Sequence, residues 1–175
     1  MEINKIYNEN CLETMAKMPD NFIDLTVTSP PYDDLRIYNG FCFDFENVAK
    51  ELFRVTKQGG VVVWVVGDAT VKGSETLTSF TQAIYFKDIG FNLHDTMIWE
   101  KTAMLPTQDR YYAIFEYMFV FSKGPPKTFN PIQVERTGHQ YGSVGTAARG
   151  TKKKVEYDST KTTRNAGNIW KIPNQ

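Results

Sequence analysis

Phe22-Ile23-Asp24-Leu25-Thr26-Val27-Thr28-Ser29-Pro30-Pro31-Tyr32 is the stretch on which the reading of this chain turns. Its first seven residues are apolar or β-branched at most positions and predict a buried strand. Pro30 and Pro31 then fix two φ angles and remove two backbone N–H donors. What remains is a rigid turn with acceptors only: the carbonyls of Ser29 and Pro30 and the Ser29 hydroxyl. Tyr32 adds an aromatic plane. Ligands of open α/β sheets sit beyond the carboxyl ends of strands. A turn of this kind in that place suits a planar group that donates hydrogen bonds, such as the exocyclic amine of a nucleobase. Two acceptors aimed at an NH₂ pull its lone pair out of conjugation and make the nitrogen a better nucleophile. The plainer reading is a Pro-Pro turn with Tyr32 packed as a lid; the position directly after an apolar strand favours the first.

Strands and helices alternate around this stretch. Ile3–Tyr7 is a short strand candidate. Asn10, with Glu13 three positions on, has the spacing of a helix cap, and Pro19 ends that helix. Asp44 opens a second helix whose apolar positions Phe45, Val48, Ala49, Leu52 and Val55 follow the helical period. Gly59-Gly60 stops it, and Val61–Val66 reads as a strand covered on both faces. A third helix opens at Ser74 or Thr76, runs through Leu77, Phe80 and Ile84, and ends at Gly90. Phe91–Trp99 and Ala113–Phe121 are two more strands. The order predicts an α/β domain with a mostly parallel sheet. From Gly124 to Asn168 periodicity fades, and the segment reads as a long functional loop region.

Composition narrows the class. The 175 residues are 41% hydrophobic and 14% aromatic, which excludes a disordered or collagen-like chain. Two cysteines, Cys11 and Cys42, make no disulfide framework and point to a reducing cytoplasm. The longest apolar run is too short to span a membrane, and no signal segment follows Met1. The 20 basic and 20 acidic residues cancel overall but not locally. Up to Ser122 there are 10 basic against 17 acidic residues, a net of −7; from Lys123 onward there are 10 against 3, a net of +7. An acidic body with a basic end is the pattern of a polyanion-binding chain, although a charge run is also what a solvated face looks like.

Taken together, these stretches resemble the amino-group methyltransferases of DNA, which use S-adenosylmethionine to methylate cytosine N4 or adenine N6. Ser29-Pro30-Pro31-Tyr32 at the end of Ile23–Thr28 is similar to that family's motif IV. Glu51–Gly60, Val61–Val66 with Gly67-Asp68, Gly90–Lys101, Arg110–Lys123 and Asn168–Pro173 resemble later segments of it. The resemblance implies a three-layer, Rossmann-like α/β sheet, with residues 1–123 the catalytic part and residues 124–175 a basic target-recognition region. The target base would be flipped out and stacked on Tyr32. Ser29, Pro30, Pro31 and Tyr32 would form the catalytic turn; Asn10, Ser29 and Pro30 would lie toward the cofactor, although Asn10 is better explained as a helix cap. Arg136, Arg149, Lys152, Lys153, Lys154 and Arg164 would meet DNA phosphates, with Tyr141 and Tyr157 between them. Within the family, Ser before Pro-Pro-Tyr leans toward cytosine N4. A cytoplasmic, nucleoid-associated enzyme of restriction–modification follows from the same likeness.

The chain departs from the family in one respect. Only 27 residues precede Thr28, and no Phe-x-Gly-x-Gly loop for the cofactor occurs anywhere. The order resembles the circularly permuted group, in which the catalytic part comes first, so the sheet is expected to be incomplete. Its strand at residues 22–28 would then be an apolar edge, covered by self-association or by a complementary chain. The alternative is a non-catalytic DNA-binding or subunit module that needs a second chain for the cofactor site. Gly145–Lys152 mimics a phosphate loop, but Thr151 stands where that motif requires Lys, so it reads as a recognition loop. His94, His139 and the two cysteines lack metal-ligand spacing. Asp33 and Asp34 are given no catalytic role. Asp68 either shapes a pocket or begins a turn.

Overall fold

The computed structural model describes residues 4–31, 43–102, 109–136 and 162–173. They divide into two compact units, Met1–Phe129 with Asn168–Gln175, and Asn130–Gly167. In the first unit the elements are α1 (Cys11–Ala16), β1 (Ile23–Thr28), α2 (Phe45–Val55), β2 (Thr56–Val66), β3 (Thr70–Val71), β4 (Ser74–Glu75), α3 (Thr78–Asp88), β5 (Asn92–Glu100) and β6 (Phe115–Ser122). Then come β7 (Gln133–Glu135) and β8 (Thr163–Asn165) of the second unit, and β9 (Ile169–Lys171), which belongs to the first.

The main sheet has the order β1-β2-β6-β5-β9. β1 pairs parallel with β2, and β5 with β9; β6 runs antiparallel to both its neighbours. The expected mostly parallel sheet is therefore a mixed one. The strand β6 follows β5 through a connection with no helix of its own among the described residues, and a strand that returns without a crossover must run antiparallel.

Helix α2 forms where its apolar period predicts. The Asp44 carboxylate accepts from Asn47 N at 3.3 Å and caps it, and Val48, Ala49, Leu52 and Val55 are buried. Along β2 the side chains alternate: Val62, Trp64 and Val66 are fully buried, and Val61, Val63 and Val65 are half-buried. The first set forms one core cluster with Met15 of α1, the buried face of α2, Ala83 and Phe86 of α3, and Phe119 and Phe121 of β6. All three helices thus cover the same face of the sheet. Phe86 stacks on Phe121 at 4.5 Å between centroids, and Trp64 donates its indole N–H to Gln82 at 2.8 Å, so the buried ring leaves no polar atom unpaired.

The other face receives no described helix, which corrects both the buried strand expected at residues 22–28 and the cover on both faces expected at Val61–Val66, whose side chains on that face are half-buried. Leu25 and Val27 point to that face and are 59% and 65% exposed. β1 is also the sheet's edge, since β2 is its one neighbour.

Three further expectations are corrected. Asn4–Tyr7 form no strand, and Ile3 lies outside the described residues. Gly59 and Gly60 do not precede β2 but lie inside it. Gly59 sits at φ +80, with its N–H bonded to the Lys123 carbonyl at 2.6 Å, and a Cβ at Gly60 would lie 3.0 Å from the Asp24 carbonyl oxygen. The third helix starts at Thr78, because Ser74–Glu75 pairs with Thr70–Val71 across a two-residue turn, Lys72-Gly73, with both φ angles positive. Leu77, Phe80 and Ile84 of this region are exposed; the buried side of α3 is Ser79, Gln82, Ala83 and Phe86. No described helix is long and apolar enough to cross a membrane.

Candidate active site

β1 delivers Ser29, Pro30 and Pro31 to the carboxyl end of the sheet. Thr28 is in register with Trp64 of β2, and Pro30 is buried while Ser29 is exposed. Tyr32 lies outside the described residues. A cavity of about 460 Å³ opens beneath the turn. Its floor is Met15, Val55 and Trp64, its β1 wall is Thr26 and Thr28, and Glu9 and Cys11 stand at its rim. The volume falls within the range of small-molecule sites, roughly 300–1,000 Å³. The Glu9 carboxylate takes the Thr14 hydroxyl at 2.7 Å and the Lys17 ammonium at 3.0 Å, and these bonds hold it below the usual carboxylate range.

Asn10 is next to this rim but is not among the lining residues. Its side-chain oxygen accepts from Leu12 N at 2.9 Å and caps α1. The far end of that helix is held by Arg54, which donates to the Met15 and Met18 carbonyls at 2.7 and 2.9 Å and pairs with Asp20 and Glu51. The last carbonyls of a helix have no partner within it. Arg54 therefore fastens the short α1 to α2 and fixes one side of the cavity.

One strand further across, at the same end of the sheet, Asp68 follows β2. Its carboxylate accepts from Ser79 N at 2.9 Å and from the Ser79 hydroxyl. Leu77, the residue at the N-cap of α3, is left-handed at φ 59 and offers no side-chain bond, so Asp68 serves as the cap from outside the helix. Asp68 also lines a second cavity of about 220 Å³ with Glu75, Glu116, Tyr111, Tyr112 and Tyr117. Burial, with Asp68 and Glu75 nearby, pushes the Tyr117 hydroxyl above its usual value and keeps it protonated. Glu116 is paired with Lys101 at 3.1 Å, both largely enclosed. The sequence reading left these tyrosines out. The one available signal was the place of Tyr111 and Tyr112 just before, and of Tyr117 near the start of, a strand that enters the sheet at the carboxyl end of β2.

Of the six basic residues expected to meet phosphate, Arg136 and Arg164 are described; Arg164 lies in β8 and Arg136 directly follows β7, both in the second unit. Arg149, Lys152, Lys153 and Lys154 lie outside the described residues, as do Tyr141, Tyr157, His139 and the Gly145–Lys152 loop. The stretch 124–168, expected to be loop, thus contains a two-stranded ribbon. Its strands are three residues each, too short for the alternation of Ile132 and Val134 with Gln133 and Glu135 to mark a strand in the sequence. Phe43 and Phe45 pack against Trp64, with centroids 6.3 and 5.9 Å away, as part of the core. His94 is exposed in β5, and no group of three metal-ligating side chains gathers among the described residues.

Known proteins match this arrangement. The orphan methyltransferase M.BamHII of Bacillus amyloliquefaciens is 56% identical over 163 residues, which take up 89% of this chain and 61% of that protein. Type II methyltransferase M.BglII of Bacillus subtilis is 25% identical, over 98% of this chain and 49% of its own length. The chain therefore spans about half to three-fifths of these relatives. Among solved structures, the cytosine-N4-specific PvuII DNA methyltransferase shares the fold, with a TM-score of 0.65 at 20% identity over 97% of this chain and 57% of that one. A DNA modification methylase of Thermus thermophilus, solved in complex with S-adenosyl-L-methionine, is 27% identical with a TM-score of 0.52, over 70% of this chain and 54% of that one. A family model described as DNA methylase covers residues 23–175. That match takes in β1, its proline turn and everything after them, and the chain belongs to the N6/N4 DNA methylase family.

Proposed function

We propose that this chain carries the catalytic turn and the target-recognition region of a DNA amino-methyltransferase. The reaction is transfer of a methyl group from S-adenosylmethionine to an exocyclic amine of double-stranded DNA, with cytosine N4 preferred to adenine N6. The observation that carries this reading is the turn Ser29-Pro30-Pro31, two of whose residues have no backbone N–H, at the open end of β1, above a cavity, in a chain of this family.

The residues do the following. The Ser29 hydroxyl and the Ser29 and Pro30 carbonyls accept the two amine hydrogens and turn the nitrogen lone pair toward the incoming methyl. The two prolines hold those acceptors without a competing N–H. Tyr32 stacks on the flipped base. Bound cofactor supplies an electrophilic methyl group on sulfur. The cavity fits part of such a molecule: Thr28, Ser29 and Glu9 are polar groups on a largely apolar wall. Pro30 lines it, and Asn10 is next to its rim, its side chain capping α1. Acceleration comes chiefly from holding donor and acceptor in line, with no covalent enzyme intermediate. Arg136, Arg149, Lys152, Lys153, Lys154 and Arg164, in the recognition region at residues 124–175, contact phosphates.

A Gly-rich cofactor loop is not among these 175 residues. The uncovered edge of β1 is where a further strand adds, supplied by a complementary chain or by a second copy of this one. Parallel strands are stable when covered on both faces, which Leu25 and Val27 are not. The cysteine usage favours a cytoplasmic setting, at the nucleoid.

Calorimetric titration tests how much of the cofactor site resides here. Binding of S-adenosylmethionine only after the complementary segment of a relative is added is the expected result. Tight binding to the chain alone would show a self-sufficient site. DNA binding with no cofactor response under either condition would favour a non-catalytic DNA-binding module.

A further inference from the structure

The β7/β8 ribbon has two faces of different chemistry. Gln133, Val134 and Glu135 stand opposite Asn165, Arg164 and Thr163. Bonds from Arg136 N to the Thr162 carbonyl (2.9 Å) and from Ala166 N to the Ile132 carbonyl (2.8 Å) carry the pairing one residue further at each end. Residues in register share a face, and neighbours along a strand alternate. One face therefore holds Ile132, Val134 and Arg136 with Thr162, Arg164 and Ala166. The other holds Gln133, Glu135, Thr163 and Asn165, all four exposed. On it the Gln133 amide donates to the Asn165 side-chain oxygen at 2.8 Å, which fixes the two amides relative to each other.

Resting on the methyltransferase reading above, we infer that this polar face reads base edges in the major groove of the target duplex. A two-stranded ribbon is one of the two elements that this groove admits. The side chains are those that match base edges. An amide of Gln or Asn presents a donor and an acceptor together and pairs with adenine N6 and N7, a carboxylate accepts from cytosine N4, and a threonine hydroxyl serves either role. Phosphate contact calls for cations, and a protein partner calls for an aromatic or aliphatic anchor; among the described residues this face has neither. The positive charge of the segment from Lys123 onward holds the ribbon near the duplex. Residues two apart on a strand lie roughly 7 Å apart, about two base steps at 3.4 Å per base. Gln133 and Glu135 therefore address positions about two base pairs apart. Arg136 and Arg164 lie on the opposite face of the ribbon and take no part in this base reading.

The test is selection of bound sequences from a randomised duplex library by the purified chain and by two variants, Q133A/N165A and E135Q. Wild type is expected to enrich a defined motif. Q133A/N165A is expected to keep its total DNA binding within about threefold and to lose at least tenfold in preference at one or two adjacent positions. E135Q converts an acceptor-only group into a donor–acceptor pair. It is expected to change the preferred base about two positions away, which a mere folding defect cannot do. The same motif in all three proteins overturns the inference. Duplex binding by wild type without any motif also overturns it, and leaves the methyltransferase reading standing. Failure of wild type to bind any duplex overturns both.

Discussion

Lys123 shows how a single side chain can close one end of a sheet. It is buried at the end of β6, and its ammonium donates to the Asn21 side-chain oxygen and to the Phe53 and Thr56 carbonyls at 3.1, 2.7 and 3.1 Å. It also lies 4.5 Å from the centre of the Phe53 ring. Removing it leaves buried acceptors without a donor. K123A should lower stability by about 3 kcal/mol, seen in urea as a lower midpoint with an unchanged slope. A loss under about 1 kcal/mol would mean that water replaces the ammonium at no cost. Acid acts on a different residue. Arg54 holds the Glu51 carboxyl below its ordinary value of 4.5, so the folded chain binds this proton less readily than the unfolded one. Its contribution to stability is complete above that ordinary value and is lost as pH falls through the lower, folded-state value. The acid limb of the stability profile should therefore flatten in E51Q; an unchanged limb would assign it to other carboxylates, Glu9 among them.

At the scale of elements, what could be read from the sequence was periodicity where the core decides it. The Asp44 cap, the four buried positions of α2 and the apolar run of β2 stand where their spacing puts them. Helix α3 defeats the same reasoning. Leu77, Phe80 and Ile84 look like a core stripe, yet they are exposed, and Ser79 and Gln82 are buried beside Ala83 and Phe86 because Asp68 and the Trp64 indole satisfy them. A polar side chain is buried at little cost when its partner is in place, and no local spacing reveals a partner 11 or 18 residues away. The Ser29-Pro30-Pro31 turn after β1 was legible because proline acts through the backbone, locally. The tyrosine-lined cavity beyond β2 was not, since its walls meet only once the sheet forms. β1 is the intermediate case. Its apolar residues announce a need for cover, and the structure shows that the helices serve the opposite face. Val27→Lys puts a charge on the bare face without touching the core. It should weaken association with a complementary segment or a second copy at least tenfold by analytical ultracentrifugation, while the melting temperature of the isolated chain stays the same. Unchanged association would place the partner elsewhere.

Across the whole molecule, zero net charge resolves into an acidic scaffold and a basic terminal region. The sheet with helices on one face matches just over half of solved methyltransferases of this fold. M.BamHII extends beyond the match by about two-fifths of its length, enough for strands beside β1 and helices over Leu25 and Val27. The role proposed for Ser29, Pro30 and Pro31 is to hold the amine that is methylated. Its most direct test is mass spectrometry of duplex DNA digested after incubation with S-adenosylmethionine, this chain and the complementary segment of M.BamHII. N4-methylcytosine should form with the wild-type chain and fall about 100-fold with S29A, while DNA binding is retained. Equal methylation by wild type and S29A would contradict the assignment of the turn.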